Sequence, residues 1–323
     1  MFRISTIAAP TALADSPGTS DANAVHYYVS LGDSFSVGVQ PIGEPPLFET
    51  NQGYADQLYS MLLTRDPKLK LVKLGCGGET TRSMRFGSVD PAEGFSCGPP
   101  VFYLHRYPHK TQLAEAVSFL HAHQGFVSLV TIDIGGNDLI GGGGMPQIQA
   151  NLPVTLADLR NAAGPAVPVV DTSYYNPFLV DWFADPASLQ GHVDGIVDFN
   201  DVLKADYAGA GDPVANVESA FSSTDTTIQL DGVPLDVERI CQWTWMCLYG
   251  DLHPNATGYE SDRASVRESV AMTAVVALAA PSGRSRRQKV TGSRLCATAT
   301  RPHVRTCRGV WRPGADVSRT RIS

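Results

Sequence analysis

Short apolar runs alternate with segments of helical spacing along this chain, and that alternation restricts the fold more than any other feature. Four runs are clear: Val25–Leu31, Leu69–Leu74, Phe126–Ile134 and Val167–Tyr174; Val214–Phe221 is the candidate for a fifth. Between them lie Tyr54–Leu63, Thr111–His121, Gln147–Ala162 and residues 192–208, which read as helices; in the first, Leu58, Met61 and Leu62 fall at helical spacing. A long Ala/Val-rich helix, Thr257–Ala280, closes the series. Strands separated by helices are joined by crossovers, so the expected sheet is parallel and covered on both faces. Residues 82–108 hold Gly, Pro, Cys and aromatics without a period and read as a long loop.

Composition sets the limits of this domain. A chain of 323 residues is long for one domain but feasible for an open α/β sheet, and 43% hydrophobic residues can fill a core. No apolar run reaches 18 residues, which argues against a membrane span. The net charge of −7 is unevenly spread: from Pro281 onward there are 11 Lys+Arg and one acid, Asp316, leaving 14 basic and 31 acidic residues in 1–280. A body at −17 offers nucleic acid no electrostatic footprint. The domain is therefore cut at 280. For 281–323 a disordered basic arm, an anchor for polyanions or surfaces, and a reading-frame artefact all remain open.

At the other end, Arg3, the stretch Ile4–Leu13 and Ala12-Leu13-Ala14 resemble a short secretory leader, while a disordered arm fits 1–24 as well. Six cysteines favour the leader and a secreted or extracytoplasmic location. Cys241 and Cys247 would staple a small loop, and Cys76 with Cys97 would tie the turn after the second strand to the long loop. No C-x-x-C pair exists, so a zinc ribbon is not expected. His121 and His123 lie at i, i+2 of a helix and do not face each other, and His105 and His109 lack a carboxylate or thiol partner, so no metal site is expected.

Ligands of open α/β sheets bind outside the carboxyl ends of the strands. Three strand ends here carry polar, glycine-rich text: Gly32-Asp33-Ser34, then Gly77-Gly78-Glu79-Thr80, then Gly135-Gly136-Asn137-Asp138. Glycines let the backbone turn sharply and expose N–H groups. A hydroxyl, a backbone N–H and a side-chain amide can thus meet at one sheet edge, which are the parts needed to attack a carbonyl and hold its oxyanion. The hydroxyl needs a base. Among eight histidines, His253 stands out in Asp251-Leu252-His253-Pro254-Asn255, a loop just before the last helix, with Asp251 close enough to orient the imidazole.

These segments together resemble the GDSL, or SGNH, hydrolase family, in the family's order and over roughly 25–280. The resemblance implies a three-layer α/β/α sandwich around a mostly parallel five-stranded sheet, flavodoxin-like in type. It implies ester hydrolysis without a cofactor, on a small-molecule ester; it leaves the oligomeric state open. Ser34 matches the nucleophile, His253 the base, and Gly78 and Asn137, with the Ser34 N–H, the oxyanion donors. One position departs from the pattern. The family places its acid three residues before the histidine, where this chain has Gly250; Asp251 lies two before, and a backbone carbonyl from Cys241–Cys247 is the other candidate for the role.

Rival readings attach to several residues. Gly94-Phe95-Ser96-Cys97-Gly98 fits the G-x-S-x-G elbow, but neither a strand precedes it nor a helix follows, so Ser96 reads as a loop serine. Ser34 alone would read as a helix cap, and Asn137 as an Asx turn. Gly141–Gly144 lacks the Lys-Ser/Thr of a phosphate cradle. Trp243 and Trp245 are the candidate substrate-binding residues, with Phe178, Leu179, Val180, Trp182 and Phe183 reading equally as pocket wall or core. On the same residues a carbohydrate deacetylase or phospholipid hydrolase is the alternative to a short- to medium-chain carboxylesterase. A binding domain that kept the fold without turnover is the alternative of another class.

Overall fold

A computed structural model describes residues 24–42, 44–87, 107, 111–141 and 143–279. The elements run β1 (His26–Gly32), β2 (Gln40–Ile42), β3 (Glu44–Phe48), α1 (Tyr54–Leu62), β4 (Leu69–Lys73), α2 (Thr81–Phe86), α3 (Gln112–Ala122), β5 (Val127–Asp133), α4 (Gly136–Ile140) and α5 (Gly144–Ala163). They continue with β6 (Val169–Thr172), a 3₁₀ stretch Pro177–Phe183, α6 (Leu189–Ala210), β7 (Val214–Ala215), α7 (Val217–Ala220), α8 (Leu235–Trp243), α9 (Met246–Tyr249) and α10 (Ala256–Ala279). Five strands form one sheet in the order β4-β1-β5-β6-β7, with every pairing parallel. No helix among the described residues is long and apolar enough to cross a membrane.

Alternation along the strands makes the three layers. In β1, Val29 and Leu31 enter one core with residues of α3, α5 and α6, among them Leu120, Leu156 and Phe199. Tyr28, between them, enters the opposite core with Tyr54 and Leu58 of α1 and Tyr259 and Val266 of α10. Leu129 and Val130 of β5, and Val170 and Val169 of β6, divide in the same way. Successive side chains of a strand point to opposite faces, so near-continuous apolar runs are what a sheet covered on both sides requires.

Two expectations are corrected. Val214–Phe221 is not a strand throughout: pairing stops at Ala215, and α7 begins two residues later. Asn216 ends it, because its side-chain oxygen accepts from the Ser219 N–H at 3.2 Å and starts a helical turn. The long loop expected over 82–108 begins as α2, which Thr80 caps reciprocally with Ser83. A serine in place of the usual Glu/Gln disguised that capping box. Residues 88–106 and 108–110, with Cys97 and Ser96, lie outside the described residues, as do 1–23 and 281–323. The pairing of β2 with β3 and the helix α8 were not anticipated.

One buried strand residue opposes this packing. Asp171 of β6 is fully buried, and neither of its carboxylate oxygens meets a hydrogen-bond donor among the described residues. Burial pushes its carboxyl well above the ordinary 3.8, against the pull of Arg160. The folded chain thus keeps a proton that the unfolded chain releases above about pH 4, and stability falls as pH rises from that point. Asp171→Asn removes the ionisation, so its melting temperature should exceed that of the parent by a margin that grows from pH 4 to pH 7. A margin independent of pH in paired thermal melts would refute this account.

Candidate active site

The chain leaves β1 for β4 on one side of the sheet and crosses to β5 on the other. The crevice at this change of direction opens between the carboxyl ends of β1 and β5. Ser34 lies two residues beyond β1, and Asn137 lies in the first turn of α4, just beyond β5. Gly32 lets the two ends approach. Its φ is +128°, and an added Cβ would sit 2.0 Å from the Asp133 carbonyl oxygen and 2.4 Å from its Oδ1. No other residue type fits there.

Ser34, 8% exposed, and His253, 6% exposed, meet across 219 residues: Oγ to Nε2 is 2.8 Å. His253 Nδ1 lies 3.0 Å from Asp251 Oδ1 and 3.3 Å from Oδ2. An Nδ1–H donated to Asp251 leaves Nε2 unprotonated, ready to accept the Ser34 O–H. Asp251 Oδ1 also accepts the backbone N–H of His253 at 3.0 Å, so one carboxylate fixes both the ring and the loop that carries it. The two-residue spacing that departs from the family pattern therefore still brings a carboxylate to Nδ1. Among the described residues no backbone carbonyl bonds to that ring.

The loop is braced from outside. Trp245 N donates to His253 O at 3.0 Å and Asn255 N to Trp243 O at 2.9 Å, around a bridge between Thr244 and Pro254. A disulfide joins Cys241 to Cys247 behind this ladder. Tyr175 Oη donates to Leu252 O at 2.5 Å, and the Phe35 ring stands edge-on to His253 with centroids 5.7 Å apart. Cys76 is buried and disulfide-bonded; its expected partner, Cys97, lies outside the described residues.

Gly78, with φ +80°, begins the second polar turn, and no acceptor among the described residues takes its N–H or that of Ser34. The next residue, Glu79, receives Asn137 Nδ2 on its carbonyl at 3.0 Å, leaving one N–H of that amide over. The Glu79 side chain is buried and accepts from Ser83 Oγ and, at 3.0 Å, from Gln112 Nε2. Burial pushes its carboxyl up to about 8, partly offset by those two bonds. Gln112 also binds both backbone groups of Gly32, accepting its N–H at 2.7 Å and donating to its carbonyl at 2.9 Å. It ties the end of β1 to the turn that carries Gly78.

Beneath Ser34 lies a second support. Asp33 N donates to both the carbonyl and Oδ1 of Asp133, each at 3.0 Å. Asp133 Oδ2 accepts from Tyr54 Oη at 2.7 Å; Asp33 accepts from Phe35 N at 3.0 Å and Tyr174 Oη at 2.9 Å. Burial raises both carboxyls; at Asp33 these two donors and His253 work against it, and at Asp133 the charge of Asp33 adds to it. Gln112, Asp133, Tyr54 and Tyr174 were not singled out from sequence. Each lies remote from the motifs it supports, and only Asp133 and Tyr174, at the ends of expected strands, carried a positional signal.

A cavity of about 490 Å³ opens on Ser34 and Asn137 and is walled mainly by apolar groups, including Leu139, Ile140, Phe178 and Ile196. Gly78 is not part of that wall. Nor do Trp243 and Trp245, the candidate substrate-binding residues, line it. Trp243 packs on Phe221 and under Arg239, and Trp245 Nε1 donates to Gln40 Oε1 at 3.2 Å. Both belong to the brace around the His253 loop. Of the second aromatic group, Phe178 lines the cavity, whereas Leu179 is fully buried in a third core, with Val180 and Trp182 packed against it.

A family model described as the GDSL-like Lipase/Acylhydrolase family matches residues 30–260. Among solved structures, similar chains include the native aryl esterase of M. smegmatis, 17% identical with a TM-score of 0.47, covering 77% of this chain and 99% of that one. An extracellular lipase from Streptomyces rimosus is 18% identical, with a TM-score of 0.46 and coverage of 76% and 100%. Phospholipase A1 from Streptomyces albidoflavus is 16% identical, with a TM-score of 0.44 and the same coverage. A comparison with curated proteins finds no match.

The brace around His253 generates a test. Closing a loop as short as Cys241–Cys247 is worth about 2 kcal/mol on chain entropy. The double variant Cys241→Ser/Cys247→Ser should therefore melt several degrees lower. Equal melting temperatures would mean that the backbone ladder to 253–255 holds the loop unaided.

Proposed function

The chain belongs to the GDSL-like lipase/acylhydrolase family, and we propose that it is a carboxylic ester hydrolase that works through an acyl-serine intermediate on short- to medium-chain acyl esters. The observation that carries this reading is the unbroken chain of contacts from Ser34 Oγ through both nitrogens of His253 to Asp251, at the mouth of an apolar cavity. In the proposed sequence His253 Nε2 takes the hydroxyl proton as Ser34 Oγ attacks the ester carbonyl. Asp251 keeps the ring in its tautomer and stabilises the imidazolium that forms. The N–H groups of Ser34 and Gly78 and the free N–H of Asn137 receive the oxyanion. His253 then returns the proton to the departing alcohol, and a water activated by the same nitrogen releases the acid.

On this proposal the catalytic domain spans 25–280, between a leader or disordered arm at 1–24 and a basic tail at 281–323. The Cys241–Cys247 disulfide supports a secreted or extracytoplasmic location, because reducing compartments keep such pairs open.

Two experiments follow from these roles. Ser34→Ala should lower hydrolysis of p-nitrophenyl butyrate by ~10⁴-fold or more, and an organophosphonate should label Ser34 in mapped peptides. Label on Ser96 would move the nucleophile and discard the reading. Asp251→Asn should cost ~10⁴-fold in kcat, because it inverts the tautomer of His253 without emptying the site. A loss of only a few-fold would assign the orienting role elsewhere while leaving Ser34 and His253 in place.

A further inference from the structure

The cavity has two walls. One is Leu139 and Ile140 of α4 with Met145 of α5; the other is the 3₁₀ stretch around Phe178 and one face of α6. Two residues of that face are glycines, Gly191 and Gly195, four apart and hence one above the other on the helix. Glycine inside a helix destabilises it relative to alanine. Neither backbone conformation nor packing calls for glycine at these positions: neither has a positive φ, and a Cβ added at either would meet nothing within 4 Å. The third glycine of α6, Gly209, lies in its last turn and away from the cavity. What sets Gly191 and Gly195 apart is that the open space in front of them is the cavity that ends at Ser34.

This wall is held in place. Asn176 Nδ2 donates to the His192 carbonyl at 2.9 Å, and His192 Nε2 lies 3.2 Å from Asp181 Oδ2. Both contacts tie the 3₁₀ stretch to α6 between the two glycines. Phe199, further along the same helix and fully buried, closes the inner side against Tyr174, with ring centroids 5.5 Å apart. The opposite rim is open and apolar, with Ile140 60% and Phe178 40% exposed. An acyl chain leaving the Ser34 ester thus runs between fixed walls, and the room beside α6 decides how many methylenes fit.

We propose that Gly191 and Gly195 set the acyl-chain length that this site accepts, by keeping the α6 wall bare where the chain passes. The proposal rests on the ester hydrolase reading above. Leucine at either position would occupy the space taken by the chain, and its helix propensity exceeds that of glycine, so the variants should fold.

The test is a kcat/KM series on p-nitrophenyl acetate, butyrate, octanoate and laurate with the full chain and with Gly191→Leu, Gly195→Leu and the double variant. The readout is the ratio of octanoate to acetate, which cancels any general loss of activity. That ratio should fall about tenfold or more, most in the double variant, mainly through KM, since a misplaced methylene is worth that much in a fitted pocket. Gly195→Ala should fall between parent and leucine variant, and melting temperatures should hold or rise. An unchanged ratio, a melting temperature well below that of the parent, or a parent that hydrolyses acetate but no longer ester would overturn the proposal and leave the hydrolase reading intact. A parent inert on every ester would instead sink the hydrolase reading and take this proposal with it.

Discussion

Everything at the sheet edge depends on how closely β1 approaches β5 at Gly32 and Asp133. Asp133 fills the place where any side chain at position 32 would stand. It then takes the next backbone N–H, that of Asp33, on two oxygens at once. The turn that follows starts from this anchored residue, and Ser34 Oγ stands 2.8 Å from His253 Nε2. Gln112 repeats the device from the other side by occupying both polar groups of Gly32. The position of Ser34 is thus set by strand geometry and two buried side chains, Asp133 and Gln112.

Such a support is costly in principle, because it gathers acids where water is excluded. Asp33, Asp133, Glu79 and Asp138 are all buried around this edge. Isolated buried carboxylates would not remain charged. Here hydroxyl, amide and backbone donors meet them, and burial raises Asp33, Asp133 and Glu79 toward the protonated form. Asp138 is held by Thr81 N at 2.9 Å, Thr81 Oγ1 at 2.5 Å and Gln147 Nε2 at 2.9 Å, which fastens α2 and α5 to the start of α4. A satisfied network of this kind defines one arrangement, since any displacement leaves a polar group unpaired.

The parts of this design that are local were legible in the sequence. Gly32-Asp33-Ser34 and Gly135-Gly136-Asn137 each announce a strand end within a few residues, and the parallel sheet follows from the alternation of periods. Asp251 was named as a partner of His253 despite its unusual spacing, and its carboxylate is the group found at Nδ1. The parts that were not legible depend on distance through space. Trp243 and Trp245 flank the histidine loop, yet strand-like pairing turns their side chains toward Phe221 and Gln40. Gln112 looks like any first-turn helix residue until β1 is beside it. The bare face of α6 carries no signal of its own, because a glycine in a helix marks a cavity only when the neighbouring elements are known.

The contact between Ser34 and His253 spans nearly the whole domain, and this bears on how the protein is made. A chain emerging from the ribosome presents β1 and its serine first, then β5, and the histidine loop only after α8 and α9 have been synthesised. Until the loop 251–255 is made and seated on Trp243, Trp245 and Tyr175, nothing holds the His253 imidazole near the Ser34 hydroxyl. Contacts of such long sequence separation form late, since their loop-closure entropy must be met before they stabilise anything. The nascent chain therefore carries Ser34 before His253 exists to meet it. On the ester hydrolase reading proposed above, Ser34 is armed only once that loop is in place, and a chain truncated before it would be inert rather than indiscriminate.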